Sequence, residues 1–119
     1  MELNIQEVKS QIESSIMELE EMNNVTRLNL SSVDKTVGDD ADKAEEDRDF
    51  REKMRSINQN SLKVKGLRKA LVRIENDTFQ DCKDCLNEIP AQRLIDRPDA
   101  TRCVECESIF EIKEKRRLG

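Results

Sequence analysis

Along the first third of the chain, Ile5, Val8, Ile12, Ser15, Leu19, Met22, Thr26, Asn29 and Val33 fall at alternating steps of three and four, which places them on one stripe of a helix. The stripe is apolar at its start and polar towards its end. Glu7, Glu13, Glu18, Glu20 and Glu21 occupy positions between, as a solvated helix face requires. A second stripe runs through Phe50, Met54, Ile57, Ser61, Val64, Leu67, Leu71 and Ile74. Its step from Val64 to Leu67 is three where four was due, a stammer beside Gly66 that should overwind or bend the seam locally.

From Ser31 to Asp47 the repeat lapses and a glycine and five aspartates gather, the composition of a turn. Neither helix alone can bury its stripe. The two are therefore expected to pair as a long antiparallel hairpin, a coiled coil with the acidic turn at its tip near residues 35–44 and arms of about 45 Å at 1.5 Å rise per residue. Asp40 or Asp42 is expected to cap the second helix, with acidic residues filling its first turn. That helix should end near Glu75-Asn76-Asp77, dividing the chain into a hairpin over 1–78 and a cysteine-bearing module over 79–119. After Cys106 the chain is acidic first and basic last, which suits a short terminal helix whose Ile109, Phe110 and Ile112 would pack on the module or on the base of the hairpin.

Composition narrows the fold class to mainly α. With 119 residues, 35% of them hydrophobic, 39% charged and only three Phe as aromatics, the chain cannot fill a large globular core and must be built thin. Three Gly and two Pro argue against a loop-rich or β-rich fold. No apolar run reaches membrane-spanning length, and the start MELNIQEVKS has neither the basic nor the apolar region of a signal peptide, so the expectation is a cytoplasmic protein with no membrane partner. A net charge of −5 lacks the electrostatic footprint of a general nucleic-acid binder, which points to a protein partner rather than direct, sequence-specific DNA binding.

All four cysteines lie in two Cys-x-x-Cys pairs, Cys82/Cys85 and Cys103/Cys106, with seventeen residues between them. In a reducing compartment this spacing reads as one zinc ion held by four thiolates rather than as disulfides or a redox pair. Four thiolates close the tetrahedron, so the ion is structural and leaves no position for an activated water. Nucleobase deaminases also use a Cys-x-x-Cys zinc pair, but they need a His-x-Glu element, and this chain has no histidine. With no phosphate loop, no paired nucleophile and base, and no open metal position, the chain does not read as an enzyme. A zinc-ribbon nucleic-acid binder would have only Arg93, Arg97 and Arg102 between its knuckles and no stacking aromatic.

Asp39, Asp40 and Asp42, backed by Glu45, Glu46 and Asp47, form by themselves an ordinary solvated turn and helix start. On the end of a stiff hairpin, the same carboxylates could be delivered into a narrow channel of a partner, towards a magnesium site or basic residues, with Ala44 allowing close packing.

These features together resemble the DksA/TraR family of bacterial RNA-polymerase regulators. The matching residues are Asp39-x-x-Asp42-x-Ala44 at the tip, Phe79-x-x-Cys82-x-x-Cys85, Ile89-x-x-x-Arg93-Leu94-x-x-x-Pro98, and Cys103-x-x-Cys106 followed by Ile112-Lys-Glu-Lys115, so that the likeness spans roughly residues 5 to 119. The resemblance implies a short member, lacking much of the N-terminal extension of longer ones, that binds RNA polymerase as a monomer. It further implies insertion of the hairpin tip through the secondary channel to change initiation, with Asp39, Asp42 and Ala44 as the acting tip and Cys82, Cys85, Cys103 and Cys106 as zinc ligands. Members that respond to guanosine tetraphosphate use basic residues late in the second helix, before the Pro-x-Ala segment and after the last cysteine. Here those positions hold Gly66, Arg97 and Glu107, so little synergy with the nucleotide is expected. The alternative is a zinc-stapled coiled-coil adaptor that binds its partner without acting near a catalytic centre. A transcript-cleavage factor of the Gre type, which shares the acidic hairpin, stands further behind.

Overall fold

The computed structural model describes residues 3–31 and 40–118, the side chains of 31, 40–42 and 118 excepted. Among the described residues four helices follow one another: α1 over Ile5–Ser31, α2 over Asp40–Glu75, α3 over Ala91–Asp96 and α4 over Val104–Leu118. Among the described residues the extended pairing is a single isolated antiparallel bridge, Asp81 with Glu88. The protein is mainly helical, an antiparallel hairpin joined to a C-terminal four-cysteine module and a terminal helix.

Two compact units divide it. One combines Met1–Ile12 with Gly66–Gly119, the other is Glu13–Lys65. In each, an early or late piece of α1 shares the unit with the opposite piece of α2, which is the pairing an antiparallel hairpin produces.

In the first unit α1 starts at a cap. Asn4 accepts a hydrogen bond from the Glu7 backbone N–H through its Oδ1 at 3.2 Å, satisfying one of the free donors of the first turn. Val8, Ile12, Leu67 and Ala70 are buried here. Helix α2 ends where the sequence suggested, and it ends by a Schellman motif: Asp77 takes a left-handed φ of 59°, the Thr78 N–H reaches the Arg73 carbonyl at 2.9 Å and the Asp77 N–H reaches that of Ile74 at 3.2 Å. Phe79, Cys82, Ile89 and Leu94 then form the small core of the cysteine module, the last three with no exposed surface.

In the second unit Ile16, Ile57 and Val64 are buried together with one polar side chain, Asn23. Its amide Nδ2 donates to Ser61 Oγ at 3.3 Å and its Oδ1 accepts from Asn60 Nδ2 at 3.1 Å, so the buried amide is satisfied across the helix pair. A polar group at a seam position favours one register, because any slip leaves it unpaired in an apolar strip.

Several details differ from the sequence-based expectation. The buried line of α1 passes through Val8, Ile12, Ile16 and Asn23, whereas Met22 and Asn29 are exposed. A strict seven-residue repeat falls behind a 3.6-residue helix by about 20° per heptad, so two or three heptads rotate the expected positions out of the seam and bring their successors in. On α2 the buried Val64 and Leu67 are three apart, as the stammer requires, but the next buried residue is Ala70 rather than the expected Leu71, and the helix is continuous through Gly66. Phe50 is half exposed rather than sealed in the seam. Residues 40–47 are helical rather than part of the turn: Asp40 begins α2 and Asp42 lies in its first turn. Helix α4 is expected to pack Ile109, Phe110 and Ile112 on the cysteine module or the base of the hairpin. All three are exposed, Ile109 and Ile112 by about half, and no described residue of α4 is buried, although the Phe110 ring is met by Arg102 of the module.

Candidate metal centre

The first cysteine pair sits in a tight knuckle shaped by backbone hydrogen bonds. Cys82 N–H donates to the Asn87 carbonyl at 2.9 Å, Leu86 N–H donates back to the Cys82 carbonyl at 3.0 Å, and Ile89 N–H reaches Gln80 at 2.6 Å. The turn forces Leu86 to a left-handed φ of 64°, a conformation that costs a residue bearing a Cβ. The second pair is brought in by α3 and the loop behind it. Pro90 precedes α3, where its missing N–H costs nothing, and the fully buried Leu94 anchors the helix to the module. Cys103 immediately precedes α4 and Cys106 lies in its first turn.

Two arginines tie these loops down. Arg73, in the last turn of α2, donates to the carbonyls of Ala100 at 3.1 Å, of Thr78 at 3.0 Å and of Asp81. Its burial lowers the pKa from the ordinary arginine value, against the opposing pull of Asp81 and Cys82. Arg93 donates from Nε to the Arg102 carbonyl at 3.0 Å. Lys83 N–H meets the Thr101 carbonyl at 2.8 Å, linking the two knuckles directly.

The result is convergence of all four predicted ligands. The Sγ atoms of Cys82, Cys85, Cys103 and Cys106 lie within 4.8 Å of one another, and that of Cys85 is 3.9 Å from that of Cys103. A tetrahedral ion with bonds of about 2.3 Å holds its thiolates roughly 3.8 Å apart, so this donor set fits one zinc ion. The sulfurs are too far apart for a disulfide, and the four cysteines are free.

Their electrostatics prepare the site unevenly. Burial pushes the Cys82 thiol up, but hydrogen bonds from the backbone of Cys85, Cys103 and Asp84 outweigh it and bring it down to about 6; the Cys103 N–H lies 3.4 Å from its sulfur. A backbone hydrogen bond from Asn87 favours the Cys85 thiolate, yet the neighbouring Cys82 sulfur and desolvation prevail and raise it. Cys106 is raised further, chiefly by hydrogen bonding with Cys103 and by desolvation. A metal-free cluster cannot hold four thiolates side by side; a divalent cation removes that obstacle.

Of the expected tip residues, Asp39 lies outside the described residues, Asp42 belongs to α2 with its side chain undescribed, and Ala44 is exposed on α2. Position 33 of the expected α1 stripe and the part of the expected turn over residues 32–39 also fall outside the described residues. Sequence reasoning missed Arg73, Asp84 and Glu107 as parts of the centre, expected Phe110 to pack on the module or the hairpin base without naming its partner, and weighed Arg102 only as a cation for nucleic acid. Arg102 is instead committed within the protein: its Nε meets Asp84 Oδ2 at 2.8 Å, its Nη1 lies 3.7 Å from Glu107 Oε2, and its guanidinium covers the Phe110 ring at 4.0 Å from the centroid. The clue available in the sequence was adjacency, since Arg102, Asp84 and Glu107 each neighbour a cysteine.

Residues 77–111 match the prokaryotic dksA/traR C4-type zinc finger. The chain is a DksA-like member of the DksA/TraR family. It is 32% identical over 81 residues to a protein from Escherichia coli (strain K12) named RNA polymerase-binding transcription factor DksA, covering 68% of this chain and 54% of that relative. To the protein of the same name from Buchnera aphidicola subsp. Schizaphis graminum it is 29% identical over 96 residues, 81% of this chain and 64% of the relative. The chain thus spans about half the length of the first of these curated relatives. The solved structure of transcription factor DksA2 from Pseudomonas aeruginosa superposes with a TM-score of 0.81 at 21% identity, covering 93% of this chain and 85% of that one, and shares the fold.

Proposed function

We propose that the chain binds bacterial RNA polymerase and regulates transcription initiation as a monomer, placing the acidic end of its hairpin in the secondary channel. The observation that carries this reading is the 81-residue similarity to proteins named RNA polymerase-binding transcription factors, taken with the matching zinc finger. The same names support a regulator over an enzyme, working in the cytoplasm beside the polymerase. No described helix is long and apolar enough to cross a membrane. Asp39 and Asp42 supply the negative charge at the tip and Ala44 the room for close approach, while the zinc module holds the base of the hairpin together.

The reading includes a weak response to guanosine tetraphosphate. Gly66 offers no side chain at one of the three positions where responsive members carry a base, and the Asp99 carboxylate stands over it, with Oδ2 3.5 Å from where a Cβ would be. Glu107 is acidic and already engaged with Arg102, leaving Arg97 exposed as the single cation of the three. Of the three positions only Arg97 offers a phosphate group a cation.

The test pairs a pull-down with transcription. Zinc-replete wild type and Asp42→Asn both retain RNA polymerase, whereas Asp42→Asn loses most of its effect on transcription from a ribosomal promoter, and adding the nucleotide changes the wild-type effect little. Unchanged regulation by Asp42→Asn overturns the tip mechanism and leaves the adaptor reading. Failure to retain polymerase at all removes the proposal.

A further inference from the structure

The centre is open for a structural metal site. Cys82 is sealed, but Cys85 is exposed and Cys103 and Cys106 are half-buried. Helix α4, which brings Cys106, buries no described residue. Three of the four ligand residues are thus incompletely buried, and α4 needs another attachment than a buried face.

One side chain supplies it. Arg102 precedes Cys103, and its guanidinium pairs with Asp84, the neighbour of Cys85, and with Glu107, the neighbour of Cys106. The flat face of the same group lies over Phe110, one turn further along α4. Arg102 is itself only 15% exposed in its side chain, and its carbonyl is held by Arg93. A single planar cation thus bridges the first knuckle to the helix carrying the last ligand, from a position adjoining the third.

We propose that Arg102 is the positioning residue that retains the metal: by locking the first cysteine pair to the start of α4, it sets the rate at which zinc leaves. Each opening that releases the ion must separate residues flanking one pair of thiolates from those flanking the other, and the Arg102 contacts oppose that separation. Lysine cannot replace it, because a point charge can pair with Asp84 or Glu107 but cannot make both contacts while covering a ring face. The inference stands on the geometry of the module and holds whether or not polymerase is the partner.

The experiment follows zinc release from the loaded full chain to excess 4-(2-pyridylazo)resorcinol. Arg102→Met is expected to release zinc about tenfold faster than wild type, the lower end of the effect of removing a residue that orients metal ligands, and Arg102→Lys recovers less than half of that difference on a logarithmic scale. Raising sodium chloride to about 1 M speeds release from wild type but not from Arg102→Met, because the ion pairs are screened only where they exist. Cobalt-loaded wild type and Arg102→Met give the same tetrahedral thiolate absorption, which separates retention from assembly of the site. If Arg102→Met takes up no metal, Asp84→Asn replaces it: this variant keeps the guanidinium and the ring contact, and must release zinc several-fold faster than wild type. Release within twofold of wild type in the variant that loads, or a wild-type rate indifferent to salt, overturns the proposal.

Discussion

Replacing Arg73 by Met tests whether the hairpin and the cysteine module are held together by hydrogen bonds to backbone carbonyls. The guanidinium serves three of them, on Ala100, Thr78 and Asp81, which belong to both sides of the module. Charged donors are individually worth about 1.5–3 kcal/mol, so a naive sum would exceed 4 kcal/mol. That sum is too large. The Thr78 and Asp81 contacts are exposed, and water rehydrates those carbonyls when the arginine goes; each then counts at about 0.5 kcal/mol. The Ala100 contact is partly buried and takes the charged-donor value of about 1.5 kcal/mol. Arg73→Met should therefore lower the stability of the zinc-loaded protein by about 2.5 kcal/mol, a fall in Tm on the order of 10 °C for a chain of this size. Circular dichroism melts at equal free zinc provide the measurement, since a difference in zinc would shift Tm by itself. Arg73→Lys should recover less than half of the loss, because an ammonium on a flexible stem cannot serve three divergent carbonyls. A loss under 0.5 kcal/mol for Met, or full recovery by Lys, refutes the reasoning.

Two further outcomes follow from the first knuckle. Leu86 is 77% exposed at a φ of 64°, so Leu86→Gly gives up little burial and relieves the left-handed strain; after allowance for the freer unfolded chain, stability should rise by about 0.5–1 kcal/mol, read as a higher Tm at constant zinc. In the metal-free protein Cys82 is depressed to about 6 and is largely thiolate at pH 7, whereas Cys85 and Cys106 are raised and protonated. Zinc uptake at pH 7 in weak buffer should accordingly release protons from Cys85 and Cys106 but little from Cys82, and the apparent affinity should fall on acidification as protons compete for the sulfurs. Proton release measured with an indicator dye checks this, and uptake that releases none contradicts it.

Much of this protein could be read before any coordinate. Three-four periodicity in a chain poor in Gly and Pro determined two long helices that must pair, because neither stripe can be left in water. The thiol spacing determined a zinc site, because few other uses of four cysteines suit two close pairs with seventeen residues between them. What the tertiary structure decided are relations between residues far apart in sequence. Which of two adjacent positions turns inward, Ser15 or Ile16, Met22 or Asn23, depends on how the helices drift against each other, and a heptad count does not contain that drift. Asn23 looks like a surface residue until Asn60 and Ser61 are placed opposite it. Arg73 and Arg102 look like solvated cations, and only the folded loops bring backbone carbonyls and neighbouring carboxylates within their reach. Local pattern is written in near neighbours along the chain, but the partners that satisfy a buried amide or a guanidinium are chosen by how the chain returns upon itself.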